Sequence, residues 1–487
     1  MFGPLLDALI FFVLTTPLVG LMGQRVGREK IVVGAYVTFA FIFSLTLIPL
    51  FYSEVLRKNG ISILYGSSFS PEIVCLEANA LSIFMAVIFL VIGAMASLFS
   101  IREVKRGSIT GYYTILLGMV TAMIGIVFSG DLFTLFIFWE VMCISSYALV
   151  AFKKERWESI EASYKYLIMS SAGSITVLFA LSFLYGLTGT LNISYLSLGL
   201  AEAQRNSLSY MALVMIIVGF GLQAGMVPFH TWLPDAHMAA PSPISAVLSG
   251  IMVKAGIYGL IKVLLIIFTP MYWSWQITLA AFAVLTMFVG NLSALLQDDI
   301  KRLLAYSTIA NTGYILLGLA IGSHRALTGS LFHVLNHAIV KALLFLSAGA
   351  FIHKTKTRSL KELAGIRHSM PITSTLFIIG TLSLTSIPPL NIFWSELLII
   401  AAGLEAGTSL LSLLMIINLV FSAAYCLRLI QTVAVKKETT ISKKAEEASM
   451  LMLIPILTLG FLSILIGLYP SPFQTLAEAA AQATRPG

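Results

Sequence analysis

The chain has 487 residues, 58% of them hydrophobic and 11% charged, with a formal net charge of +8. Soluble domains carry about 25% charged residues, so this composition, with a mean hydropathy of +0.94, excludes a water-soluble protein and points to an all-α polytopic membrane protein in a lipid bilayer. The basic excess is then loop charge on one membrane face, not a nucleic-acid surface.

Runs of about 20 apolar residues cross a bilayer as helices. Fourteen are predicted in chain order: 5–22, 31–51, 80–100, 110–129, 131–151, 163–187, 208–227, 244–266, 274–297, 303–321, 326–352, 372–402, 407–433 and 449–469. The first begins almost at Met1 with no basic segment before it, which reads as a retained helix. Only the turn signal Ser129-Gly130-Asp131 divides the fourth from the fifth. Alternate loops are basic: Arg25, Arg28 and Lys30; Arg102, Lys105 and Arg106; Lys153, Lys154 and Arg156; Lys301 and Arg302; Lys354, Lys356, Arg358, Lys361 and Arg367; Lys436, Lys437, Lys443 and Lys444. The other side holds only Arg57, Lys58, Arg205, Arg325 and Arg485. This asymmetry predicts a cell-membrane protein with those loops in the cytoplasm and both termini outside. Cys75, Cys143 and Cys426 share no metal or haem spacing; they read as apolar packing residues, and no cofactor is expected on this chain.

Four charges lie deep in apolar runs: Glu140, Lys254, Lys341 and Glu396. Each costs about 2.5–3.5 kcal/mol at a bilayer centre, and such residues mark ion or proton paths or buried charge partners. Glu140 has no polar neighbour in sequence and needs a partner from another helix, unless it is a protonated structural acid. Lys165 is placed to snorkel or to point at Glu140. His230, Asp235 and His237 flank a proline-marked interruption; they are read as proton-gathering, gating or simply solvated. Lys254 is too deep to snorkel, whereas Lys262, eight residues on, can reach an interface. His333, His337 and Lys341 recur every four residues and so line one helical stripe. Histidine titrates near neutral pH, so the stripe suits proton hopping better than metal binding. Glu396 follows a second interruption, as an exit site or as a cap on the following half-helix.

The sequence also repeats. Ser146-Tyr147 and Gly313-Tyr314 are offset by 167 positions, as are Ser163 and Ser330. Met226-Val227-Pro228 resembles Ser386-Ile387-Pro388. Spans 4–8 then correspond to spans 9–13, and an odd number of spans inverts the second copy. The expected organisation is residues 1–109 as N-terminal helices, 110–266 and 267–433 as the two five-helix repeats, and 434–487 as loop, last helix and tail. Proline removes a backbone donor and clashes with the preceding turn; paired breaks in spans 7 and 12 are a pointer to an ion site.

The stretches from Pro228 to His237, from Ala240 to Ala246, from Ser249 to Gly259 and from His333 to Leu346 resemble the antiporter-like membrane subunits shared by respiratory complex I, Mrp-type sodium/proton antiporters, and membrane-bound hydrogenase and sulfane reductase complexes. The resemblance covers about residues 80–430 and looks nearest to the D-type Mrp and hydrogenase-associated forms. It implies fourteen helices, two inverted five-helix repeats, broken helices 7 and 12, and a hydrated charged axis. Glu140, Lys254, His333, His337, Lys341 and Glu396 match the family's charged positions. Where the family usually has a lysine in broken helix 7, this chain has Gln223. Lys165 is therefore expected to supply the cation for Glu140, the other outcome being an inactive first half. The implied function is a proton- or sodium-translocating subunit working with sister antiporter-like and small membrane subunits and a peripheral redox module. A stand-alone Mrp-type antiporter, a solute carrier and a non-conducting structural subunit are the rivals.

Overall fold

The computed structural model describes residues 4–57, 63–65, 76–104, 107–202, 207–269 and 275–484. Cys75 and the loop residues Lys58, Lys105, Arg106, Arg205 and Arg485 lie outside the described residues. The helices in chain order are α1 (Pro4–Arg25), α2 (Glu29–Arg57), α3 (Ala80–Glu103), α4 (Ile109–Phe128), α5 (Leu132–Val150), α6 (Trp157–Thr188), α7 (Ile193–Glu202), α8 (Ser207–Gln223), α9 (Trp232–Ala239), α10 (Ser242–Ile267), α11 (Gln276–Leu295), α12 (Ile300–Ile321), α13 (His324–Thr355), α14 (Pro371–Leu384), α15 (Asn391–Glu405), α16 (Ser409–Val435), α17 (Met450–Leu468) and α18 (Pro470–Gln482). Twelve of them are long and apolar enough to cross a membrane. Of the two remaining expected spans, 208–227 falls on α8, with the proline break at its end and α9 beyond it, and 372–402 falls on α14 and α15, divided at the proline break.

Two elements were not foreseen. Strands β1 (Ile63–Tyr65) and β2 (Leu76–Ala78) pair antiparallel, so the chain is not strictly all-α. Helix α18, buried through Ala477, Ala480 and Ala481, packs across α13 and α3. It is short and only half apolar, below the threshold for a span.

The repeat has a physical basis in the helix termini. Asp131 caps α5 by accepting from Thr134 N at 2.7 Å, and Asp299 caps α12 by accepting from Lys301 N at 2.8 Å. Beside each cap runs a short backbone bridge. Leu132 N donates to Leu191 O and Ile193 N to Gly130 O; likewise Ile300 N donates to Arg358 O and Leu360 N to Asp298 O. Helices α6 and α13 then end in left-handed residues, Gly189 and Lys356. At the breaks, α8 and α14 each end two residues before a left-handed residue, Gly225 (φ +71°) and Ser386 (φ +60°). This pairs Gly225 with Ser386, one position away from the correspondence read from the Pro-containing triplets. Each break also contains a cis X–Pro bond, Val227–Pro228 and Pro388–Pro389.

In lipid, carbonyls freed by a break need internal donors. Leu222 O accepts from Trp232 Nε1 at 3.1 Å, and Leu384 O accepts from Ser422 Oγ at 3.2 Å. Helices α10, α12 and α13 are almost wholly buried and form the centre of the bundle. Close approach of α10 to the end of α8 depends on Gly256, where an added Cβ would lie 2.8 Å from Ala224 N and 3.1 Å from Phe220 O. Both obstacles are backbone, so they cannot rotate away. Gly256→Val is expected to cost about 1–3 kcal/mol by overpacking, seen as a lower Tm of the detergent-solubilised protein. An unchanged Tm would show that α8 and α10 are free to separate.

Candidate ion-translocation site

Lys254 stands in α10, one turn past the π-helical segment Leu248–Met252. Its ammonium is fully buried, donates to Ser249 O, and lies 2.7 Å from His337 Nδ1. Spacing of four residues on α13 stacks the His337 and His333 rings, with centroids 5.8 Å apart and planes 18° apart. His333 Nε2 faces Asn311 Oδ1 at 3.1 Å, and its Nδ1 faces Ser395 Oγ at 3.0 Å. Asn311 donates its own amide N–H to Ser307 O, which presents its oxygen to the ring and assigns a proton to Nε2. Ser395 also donates to Ile392 O at 2.8 Å. Its single hydroxyl proton serves that carbonyl when His333 is charged and the imidazole when it is neutral. The next residue, Glu396, is buried and accepts from Ser386 Oγ in the second break. Glu396 sits in the second turn of α15, so it does not cap that half-helix.

These contacts revise the predicted file. His337 and His333 lead from Lys254 toward Ser395 and Glu396. Lys341, on the same stripe, turns the other way and donates to Leu304 O (3.2 Å) and to Ser307 Oγ on α12. The neutral partners Ser249, Ser307, Asn311, Ser386 and Ser395 were missed, because a lone Ser in an apolar run carries no pattern. The asparagines offered a signal: Asn291, Asn311, Asn336, Asn391 and Asn418 are all buried polar residues inside spans, where interhelical hydrogen bonding is their usual role. Asn336 and Asn391 bond each other across α13 and α15, and Ser383 and Ser463 both donate to Asn391 Oδ1.

The first repeat is built differently. Glu140 is half-buried on α5, with Oε1 buried and unpartnered among the described residues. Lys165 does not approach it: Nζ pairs with Glu161 Oε1 at 2.9 Å and with Asp235 Oδ2 at 3.2 Å, at a half-exposed surface. The expected Lys165–Glu140 pair is thus replaced by a local helical pair and a cross-link to α9. Gln223 is buried; its Nε2 donates to Tyr166 OH at 2.7 Å and meets Met252 Sδ at 2.8 Å. Tyr166 OH in turn lies 2.7 Å from Ser146 Oγ, and its ring stacks on Trp232 at 4.1 Å. Ser146, Tyr166 and Gln223 thus form a neutral cluster of the first repeat. It holds hydrogen bonds but no charge.

The auxiliary residues also resolve. Asp235 bridges Lys165 and Arg302. His230 is partly buried, with Nδ1 unpartnered among the described residues. His237 is fully buried, not at a solvated loop. Lys262 is buried and reaches the turn between α4 and α5, where it donates to Ser129 O, lies 3.9 Å from Glu77 Oε2 and sits 5.8 Å from the Tyr258 ring. Tyr166→Phe leaves the Gln223 amide short of an acceptor and is expected to cost about 1–3 kcal/mol as a lower Tm, with transport unchanged. Transport lost at unchanged Tm would make Tyr166 part of the path.

Comparison with known proteins matches this architecture. Residues 129–422 match the family described as NADH:quinone oxidoreductase/Mrp antiporter, TM. The NADH-quinone oxidoreductase subunit N of Desulforudis audaxviator is 34% identical over 373 residues, covering 74% of each chain. The Na(+)/H(+) antiporter subunit A1 of Staphylococcus haemolyticus is 34% identical over 84% of this chain, but the chain spans only 54% of that relative. A chain of the membrane-bound sulfane sulfur reductase, an archaeal respiratory membrane complex, superposes with a TM-score of 0.90 at 30% identity, over 99% of this chain and 96% of that one. A chain of the Mrp complex from Dietzia sp. shares the fold, with a TM-score of 0.88 at 22% identity over 98% of this chain and 96% of that one. The chain belongs to the NADH:quinone oxidoreductase/Mrp antiporter transmembrane family.

Proposed function

We propose that this chain is a proton-translocating, antiporter-like subunit of a multisubunit membrane redox complex, conducting from Lys254 at the end of its first repeat through the second. The observation that carries the reading is the buried contact of Lys254 with His337, continued by His333 toward Ser395 and Glu396. Lys254 gives a proton to His337 Nδ1 and becomes a neutral amine. The imidazolium releases its proton from Nε2 and is neutral again. His333 takes the proton at its free Nδ1, keeps the one on Nε2, and hands the Nδ1 proton to Ser395 Oγ while the Ser395 hydroxyl proton moves on toward Glu396. A cation in this setting is costly, so a small change in nearby charge shifts where the proton rests. Moving one charge against the membrane field costs about 2.3 kcal/mol per 100 mV. Redox partners outside this chain supply that energy by altering charge placement around Lys254.

The kinship to a quinone oxidoreductase subunit and to a chain of an archaeal respiratory complex supports a place in such an assembly. Sister membrane subunits have a surface to pack on: Phe133, Ile137, Val141 and Ile144 form an exposed apolar stripe on α5, with Glu140 at its edge. A neighbour's cation there would pair with Glu140, which this chain leaves without one among the described residues. The basic loops support a place in the cell membrane with both termini outside.

Vesicles containing the assembled complex test the reading. Lys254→Met and Glu396→Gln should each reduce substrate-driven proton uptake by about tenfold or more, at unchanged complex content. Repeating the assay with sodium replaced by choline separates the carriers: a flux that vanishes identifies a sodium/proton exchanger of the Mrp kind. Full proton uptake in both variants would leave the chain a structural subunit.

A further inference from the structure

The Tyr166–Gln223 cluster is neutral and supplies no charged partner for Lys254 or Lys341 among the described residues. A different route opens from the side bearing Lys153, Lys154 and Arg156. There a cavity of about 480 Å³ is bounded by these residues together with Glu103, Phe152 and Pro241. Pro241 belongs to the segment Ala240–Ser242, which joins α9 to α10. On one flank, Ser242 N donates to Glu103 Oε1 at 2.9 Å, while Glu103 Oε2 is buried and unpartnered among the described residues. On the other flank, Lys301 Nζ donates to Ala240 O at 2.7 Å and lies 3.3 Å from Ser245 Oγ. Lys301 was expected in a solvated loop; its side chain is buried in the bundle.

Ser245 Oγ donates to His237 O at 2.9 Å. The His237 imidazole is fully buried, and neither ring nitrogen has a partner among the described residues. Its ring stacks on Phe345 at 4.8 Å, with planes 17° apart; Phe345 is one helical turn from Lys341. Lys301 and Lys341 border the same opening turns of α12, since Lys341 binds Leu304 O and Ser307 Oγ. A buried imidazole with both nitrogens unused carries a desolvation cost that a phenyl ring of similar size would avoid. At the cavity, burial holds the Lys153 ammonium below the ordinary lysine range; Glu103 opposes this, while Arg156, Arg358 and Lys356 add to it.

We propose that this cavity is the proton entrance, with Glu103 as acceptor, Lys301 as relay, and His237 as the last carrier before Lys341 and Lys254. The inference rests on the translocation reading above. A proton arriving from the cavity forms an O–H bond at the free oxygen of Glu103. It passes to a neutral Lys301 amine, restoring the carboxylate. His237 then gains an N–H at one ring nitrogen and loses one at the other, so the imidazole ends neutral and a proton has moved inward.

The test uses the assembled complex in vesicles, with substrate-driven proton uptake as the readout and Lys254→Met alongside. Glu103→Gln keeps an acceptor for Ser242 N and removes only the ionisable oxygen; His237→Gln keeps polarity without an imidazole. Each should slow proton uptake by about tenfold or more at unchanged complex content, and Glu103→Asp should recover most of the rate. Unaltered uptake in Glu103→Gln and His237→Gln, with Lys254→Met inactive, would overturn the entrance and leave the translocation reading standing. Unaltered uptake in all three would remove both. Should His237→Gln fail to assemble, Glu103→Gln decides on the same criterion.

Discussion

The centre of the bundle is organised around one constraint: the Lys254 ammonium, on the last helix of the first repeat, is held away from water by a backbone carbonyl and by an imidazole of the second. An unpaired buried cation would cost several kcal/mol even after relaxation, and among the described residues no carboxylate is paired with it. What stabilises it is local. The π-helical segment before Lys254 widens the helix and places Ser249 O where Nζ can reach it. The spacing of His333, His337 and Lys341 on α13 fixes which group meets it. Asparagines on α11, α12, α13, α15 and α16 complete a polar interior that the first repeat lacks at its corresponding centre.

That asymmetry is a property of side chains, not of backbone. Both repeats share the Asp N-cap, the short bridge to the segment after the next helix, the left-handed helix end and the proline break. On this common frame, Tyr166 occupies in the first repeat the position that His333 occupies in the second, 167 residues on. One ring offers two nitrogens that can hold or accept a proton, the other a single phenol hydroxyl. A duplicated scaffold thus holds a histidine file in one half and a neutral phenol–amide cluster at the matching place in the other.

Much of this was readable beforehand, for identifiable reasons. Apolar runs gave the spans, because lipid admits few other backbones. Charges within those runs gave Lys254 and Glu396, since their cost is visible in sequence. What was not readable was direction. Lys165 and Lys341 each had two sides to turn to, and a helical stripe does not say which neighbour receives a long flexible side chain. Lys301 was misjudged for a related reason. It begins a helix beside a basic loop, which suggests solvent, but the Asp299 cap and the bridge to Arg358 draw that helix start into the bundle.

Asp235 has a consequence of its own. It lies on the short helix α9 between Lys165 of the first repeat and Arg302 of the second, and binds both. Two residues further along the same helix is His237. The helix bearing that imidazole is therefore moored to both halves of the molecule at once, by contacts weak enough to exchange with water. A displacement of either half tugs on this mooring and swings the ring relative to Lys341. On the proposed entrance, mechanical strain from a distant partner would in this way become a change in the spacing between His237 and Lys341.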